Sequence, residues 1–165
     1  MRKTALFATL GVIAALAASV SQAGPNATDE GCLVVQTGRG IVSVNARGFV
    51  FGRFDEGQVE IADPVDGDGS VKVFGYEKKR PLTETKTLYI GFQVRFRASG
   101  LFRVRIEANS GIELSAAGKG TATLSSDDFL DAGEFSVDDV SFCETKFQPM
   151  PDVPKKFAIA GQSSG

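Results

Sequence analysis

Hydrophobic and polar residues alternate along most of this chain, and the alternation limits the folds open to it. In "GRGIVSVNARGFVFGRF", the residues Val42, Val44, Val50 and Phe54 share one parity. A period of two residues is typical of a β-strand with one buried face. No segment after residue 23 keeps the 3.6-residue period of a helix over three turns, so the sequence predicts an all-β protein.

Glycines fall on the same parity as the core residues. They are Gly38, Gly40, Gly48 and Gly52 in this stretch, and Gly118 and Gly120 in "GIELSAAGKGTATL". A glycine weakens a strand unless a tight bend or another backbone comes close to it. We therefore expect a small curved antiparallel β-barrel or a tight β-sandwich of about 8–11 strands, joined by sequential hairpins.

The start of the chain differs from this alternating body. Arg2 and Lys3 precede an apolar run over residues 5–18, which is typical of a secretory signal peptide. The run is shorter than the roughly 18–20 apolar residues that a membrane span needs. We expect a secreted or extracytoplasmic protein without a transmembrane segment in the mature chain. The predicted organisation is a signal peptide at 1–23, a disordered mature N-terminus at 24–30, a β domain at 31–147 and an extended arm at 148–165.

The C-terminal arm is rich in proline. Three prolines lie within "QPMPDVP", and proline cannot donate the hydrogen bond that a central strand requires. The arm is therefore predicted to cross the surface of the β domain in an extended form. Phe157 and Ile159 are the apolar side chains expected to dock it there.

The charge balance is mildly acidic and argues against nucleic acid as a partner. The chain has 18 Lys and Arg against 20 Asp and Glu, and loss of the leader leaves 16 basic residues. Proteins that bind nucleic acid usually carry a clear basic excess. Any binding of an anion must therefore depend on a local cluster of basic side chains.

The two cysteines, Cys32 and Cys143, lie near the two ends of the alternating region. In an exported chain an even pair of cysteines most simply forms a disulfide. Closing so long a loop would stabilise the fold by about 4–5 kcal/mol in the chain-entropy description. We therefore predict a Cys32–Cys143 disulfide.

The composition excludes several kinds of catalysis. The chain contains no histidine, which removes Ser-His-Asp and Cys-His mechanisms and His-ligated zinc. A Ser115–Lys119 pair on one strand would be about 13 Å apart, too far for a hydrogen bond. A pair of carboxylates of the glycosidase type is the remaining enzymatic alternative. We expect a protein that is not an enzyme and uses no cofactor.

Four arginines alternate along the stretch "VRFRASGLFRVRIE". Read as a hairpin that turns at 98–100, the stretch places Arg95, Arg97, Arg103 and Arg105 on one face. Like charges that lie opposite each other in a sheet repel. We expect either carboxylates that cap these side chains or an anion held between the guanidinium groups.

An aromatic pair lies on the parity opposite to the core. Phe49 and Phe51 stand between Arg47 and Arg53 in "RGFVFGRF". We expect the proline-rich arm to cover the two rings. The alternative is an exposed aromatic and cationic patch, which would mark a surface for binding or oligomerisation.

Three aspartates cluster in "DPVDGDGS", at Asp63, Asp66 and Asp68. An EF-hand starting at Asp66 fails because its sixth position, which must be glycine, is Val71. A simple Asp-Gly turn is the favoured interpretation. A calcium site of another kind, built from the three aspartates, is the alternative.

Three segments, "GRG…VSVNARGFVFGRF", "ELSAAGKG" and "FQPMPDVPKKF", resemble those of short exported glycine-rich β-proteins without an assigned activity, and the resemblance implies no function. The leading hypothesis is an exported non-catalytic β-domain with a binding or structural role in the cell envelope or extracellular space. Its expected partner is an anionic envelope polymer or another protein. The alternatives are a hydrolase with a carboxylate pair and a structural subunit that binds calcium or forms oligomers.

Overall fold

The computed structural model describes residues 30–128, 131–138 and 146–159. The predicted signal peptide, residues 24–29 and Cys143 lie outside these ranges. Within them the regular structure consists of β-strands. No helix in the described part of the chain has the length and apolarity to cross a membrane.

Seven strands form one antiparallel sheet in the described residues. The sheet follows the order β2-β4-β1-β5-β6, with β3 and β7 also paired to β4, and it does not close into a barrel. The all-β class is thus confirmed, whereas a closed barrel is not formed. The strands are β1 Gly31–Ala62, β2 Ser70–Phe74, β3 Lys78–Pro81, β4 Lys86–Ser125, β5 Glu134–Asp138, β6 Gln148–Pro149 and β7 Lys155–Ile159.

Two of these strands are unusually long and are paired along both edges. Val44 of β1 lies opposite Val104 of β4 on one edge and opposite Ala122 of β4 on the other. The two partners are 18 residues apart on the same strand, a contour length of about 60 Å. A strand can meet one partner on both edges only if the pair winds round a common interior. β1 and β4 therefore form a coiled two-stranded ribbon.

The interior of this ribbon holds the residues that the alternation predicted. Val42, Val44, Val50 and Phe54 of β1 are all fully or almost fully buried. The buried residues have even numbers from Val42 to Phe54 and an odd number at Val59, so β1 keeps an apolar side inward across a change of parity. The largest buried side chains include Phe54, Phe102, Phe135, Leu33, Ile106 and Ile112.

Gly48 and Gly118 let the two long strands approach closely. A Cβ added to Gly48 would contact the carbonyl oxygen of Ala117 and lie 2.8 Å from the Cα of Gly118. A Cβ added to Gly118 would contact the carbonyl oxygen of Arg47. Both glycines have positive φ, at 150° and 141°. The expectation that glycines on the core parity mark a close backbone approach is confirmed here.

The predicted hairpin at 98–100 is wrong, because β4 continues through it as one strand. Val94 pairs with Phe54 and Glu107 pairs with Ile41, so β1 supplies the partners on both sides of the predicted turn. Gly100 has a φ of 84°. It serves as a bend in a long strand, so the described residues form one strand where the hairpin would give two.

The proline-rich arm docks as predicted, at the margin of the sheet. β7 pairs with residues 120–124 of β4. Ile159 is fully buried, and the ring of Phe157 packs against that of Phe135 with centroids 4.8 Å apart. The described part of the arm, up to Ile159, does not cover Phe49 and Phe51, whose side chains are exposed.

Candidate functional site

The four arginines of β4 lie on two different faces, so the single ribbon of guanidinium groups expected from the hairpin is not formed. Arg95 and Arg97 precede the bend at Gly100, and Arg103 and Arg105 follow it. Arg95 and Arg103 are separated by nearly half of the 18-residue turn. Half a turn carries a side chain to the opposite side of the coil.

The first pair belongs to a surface that we name the Arg–Phe face. Its rings are open to solvent, with Phe49 61%, Phe51 56% and Phe74 52% exposed. It extends over three adjacent strands, β2, β4 and β1. Its members are Arg47, Phe49, Phe51 and Arg53 of β1, Lys72 and Phe74 of β2, and Arg95 and Arg97 of β4.

The two arginines of β4 on this face have cationic neighbours. Arg97 lies between Phe51 of β1 and Lys72 of β2. Arg95 lies directly opposite Arg53. Within the described ranges, no ion pair involves Arg95 or Arg97. No carboxylate of the described chain is therefore paired with Arg95 or Arg97 themselves.

Glu113 is a carboxylate on this face, and it binds Arg53. The Nε and terminal nitrogen of Arg53 donate to the two oxygens of Glu113, at 2.9 and 2.6 Å. This bidentate bond holds the pKa of Glu113 below its usual value and raises the pKa of Arg53. Glu113 is thus engaged by Arg53, and Asp55 lines a cavity with Arg53 and Arg95 without forming an ion pair to Arg95.

Asp68 anchors the loop before β2 against the bend of β4. The backbone N–H of Leu101 donates to both carboxylate oxygens of Asp68, at 3.3 and 3.2 Å. Arg47 forms an ion pair with the same carboxylate at 2.9 Å. Asp68 therefore satisfies a backbone donor that the bend at Gly100 turns away from the sheet.

The predicted calcium residues are not gathered into one site. Asp63 and Asp66 line a cavity together with Glu84, whereas Asp68 is bonded to Arg47 and Leu101. In the part of the chain that the structure describes, no three acids, cysteines or histidines are grouped so that they could hold a metal ion.

The second arginine pair lines a separate cavity of about 350 Å³, which we name the hydroxyl groove. Arg103 is exposed and Arg105 is half-buried. An ion pair between Lys86 and Glu60, 2.9 Å long, forms part of its wall. Its lining also includes Ser43, Asn45, Thr83, Thr85, Thr121 and Thr123.

A third cleft, of about 310 Å³, gathers carboxylates. Glu56, Glu77 and Glu107 all line it. Glu107 accepts weak hydrogen bonds of 3.4 Å from Gln58 and from Arg105. The alternative of a hydrolase with paired acids would have to use this cleft.

Sequence reasoning missed two groups of site residues. Lys72 and Phe74 join the Arg–Phe face because β2 pairs with β4 beside Arg97 and Arg95. The polar side chains of the hydroxyl groove alternate with buried residues of β1 and β4. This alternation could have predicted that they face outward. What the sequence did not reveal was which strands lie side by side.

Known proteins give no guide to the role of these surfaces. No protein-family model, no curated protein and no solved structure matches the chain.

Proposed function

We propose that this chain is an exported, non-catalytic β-domain that binds an anionic polymer of the cell envelope over its Arg–Phe face. The observation that carries the proposal is the placement of Arg95 and Arg97 beside Arg53 and Lys72, with no ion pair to either arginine within the described residues. Such an arrangement is unfavourable for the isolated fold. A bound anion would remove the repulsion.

The shape of the face favours a polymer over a small ion. The face follows β1 from Arg47 to Arg53, six residues or a contour length of about 20 Å. The exposed rings of Phe49 and Phe51 lie between them. Alternating rings and guanidinium groups on an open sheet offer repeated contacts to an extended ligand, with charge bound by arginine and apolar parts by phenylalanine.

Binding of dextran sulfate, with uncharged dextran as the matched control, tests this function. The wild-type protein is expected to bind the sulfated polymer with an affinity that falls as salt rises, because exposed charges are screened. The double variant Arg95→Gln, Arg97→Gln should bind at least about tenfold more weakly. Its melting temperature should stay unchanged or rise, since two repelling charges are removed.

The control is the double variant Lys78→Gln, Arg80→Gln, which removes the same charge from exposed positions of β3, outside both the Arg–Phe face and the lining of the cavity that contains Arg103 and Arg105. It should keep the affinity for dextran sulfate. Equal losses of affinity in both double variants would show that binding depends only on total charge, and would reject the Arg–Phe face as the binding site. Tighter binding of single-stranded poly(dT) than of the sulfated polymer would instead indicate nucleic acid as the ligand class.

A hydrolase is the second candidate function, supported by the cleft that contains Glu56, Glu77 and Glu107. Glycosidases need two carboxyl groups roughly 5–10 Å apart. The test is release of reducing ends from polysaccharides, with Glu56→Gln and Glu107→Gln expected to abolish it. Absence of any release by the wild-type protein would reject this function.

Export and the Cys32–Cys143 disulfide are part of the proposal. Cys32 is buried near the start of β1 and lies opposite Asp138 of β5, five residues before Cys143 in the sequence. Intact mass spectrometry of protein secreted by cells should give a chain starting at Gly24 and lighter by two hydrogens than its reduced form. A retained leader or an unchanged mass on reduction would contradict this part.

A further inference from the structure

We propose that the hydroxyl groove is a second binding site, for an acidic saccharide whose carboxylate or phosphate is held by Arg103 and Arg105. The groove lies on the side of the coil opposite to Arg95 and Arg97. The inference therefore stands apart from the function proposed for the Arg–Phe face, and each can fail without the other.

The floor of the groove is a regular grid of polar side chains on three adjacent segments. Ser43 lies between Arg105 and Thr123. In the next outward row, Asn45 lies in the same way between Arg103 and Thr121. Adjacent segments are about 4.8 Å apart and alternate residues about 6.7 Å apart, so the grid measures about 10 by 7 Å.

The side chains of this grid are available to a ligand. In the described part of the chain, no side-chain hydrogen bond involves Ser43, Asn45, Thr121 or Thr123, and no ion pair involves Arg103. Ser43, Thr121 and Thr123 are half-buried rather than fully exposed. Half-buried hydroxyls that lack a protein partner must bond to water or to a ligand.

The charge of the groove favours an anion. Glu60, the acid nearest to Arg105 in the register, is bound by Lys86 at 2.9 Å. Glu107 reaches Arg105 only at 3.4 Å. Arg103 has Asn45 and Ala62 as its neighbours across the sheet, and neither is an acid. Most N–H donors of the two guanidinium groups are therefore available to bond to an oxyanion.

The chemistry of the lining favours a saccharide over an aromatic or apolar ligand. Hydroxyl and amide groups both donate and accept hydrogen bonds, which suits a ligand rich in hydroxyls. The described lining contains no aromatic ring on which a base could stack. A sugar that carries one carboxylate or phosphate would satisfy the hydroxyl grid and the arginine pair together.

Titration calorimetry with D-glucuronate, and with D-glucose as the uncharged control, tests the site. Glucuronate is expected to bind at least about tenfold more tightly than glucose. Arg103→Gln and Thr121→Val should each weaken glucuronate binding without a change in melting temperature. Arg97→Gln, which removes a charge from the Arg–Phe face, should leave glucuronate binding unaltered.

Two further ligands separate the parts of the inference. Glucose 6-phosphate should compete with glucuronate, because the arginine pair recognises an oxyanion of either kind. Acetate and inorganic phosphate, which carry the charge without the sugar, should compete at least about tenfold less well. Equal competition by acetate, equal binding of glucose, or glucuronate binding that survives Arg103→Gln would overturn the inference.

Discussion

At the scale of single residues, the bend of β4 depends on a polar contact from a distant part of the sequence. Asp68 stands in a loop, yet its carboxylate accepts the N–H of Leu101 and pairs with Arg47. The sequence alone suggested an Asp-Gly turn or a calcium ligand for this residue. Its role in the structure is to satisfy a backbone donor, which buried strands cannot leave unpaired without cost.

Asp68→Ala should lower the free energy of unfolding by about 1–3 kcal/mol, because the N–H of Leu101 loses its acceptor. Asp68→Asn keeps an oxygen and should recover part of the loss. Urea denaturation gives the values, with the exposed Asp66→Ala as a control expected to change stability by less than about 0.5 kcal/mol. Equal stability of all three variants would exclude this role of Asp68.

The Arg53–Glu113 bond should give stability a dependence on pH. The pKa of Glu113 is lowered in the folded state, so its contribution is present above the ordinary carboxyl pKa and is lost as pH falls through the folded value. Glu113→Gln should therefore lower the melting temperature slightly at pH 7, and the difference should vanish at strongly acidic pH. The effect is small because both side chains are exposed. A difference that persists in acid would contradict it.

At the scale of elements, β1 and β4 can approach closely only at positions where neither backbone carries a side chain towards the other. Gly48 and Gly118 are such positions, and each would clash with the partner strand if it carried a Cβ. A barrel of short strands would turn its corners at loops. Here the corners lie inside β1 and β4, so glycine takes the place of a turn.

Gly48→Ala should lower the free energy of unfolding by about 2–4 kcal/mol, through steric conflict and through its positive φ. Gly67→Ala is the matched control, because its φ is also positive but no atom lies within 4 Å of the added Cβ. It should cost only about 1 kcal/mol. Chemical denaturation of both variants measures the difference, and a cost no larger at Gly48 than at Gly67 would refute the close approach.

At the scale of the whole molecule, the two long strands connect the two sides of the coil. β1 and β4 each pass repeatedly through both sides, so one side cannot separate while the other stays paired. Unfolding should therefore be a single cooperative transition. Far-ultraviolet circular dichroism and the fluorescence of Tyr76 and Tyr89 should give the same midpoint in urea, whereas two distinct midpoints would indicate that the coil comes apart in pieces.

The amino-acid sequence by itself determined which side of each strand is buried. The alternation places Val42, Val44 and Phe54 inside, and it marks the glycine parity as the side of close approach. These features depend on the two-residue period of a strand, which holds whatever the strand pairs with. The docking of the arm through Ile159 was predictable for a similar reason, since a large apolar side chain after a proline-rich stretch needs burial.

Only the tertiary structure decided which strands are neighbours. The period of two fits a hairpin at 98–100 as well as a continuous β4, because Phe96 and Phe102 are buried in either arrangement. The pairing with β1 on both edges selects the continuous strand and sends Arg95 and Arg103 to opposite sides. Register is a long-range property of the folded chain, so the division into an Arg–Phe face and a hydroxyl groove could not be read from local alternation.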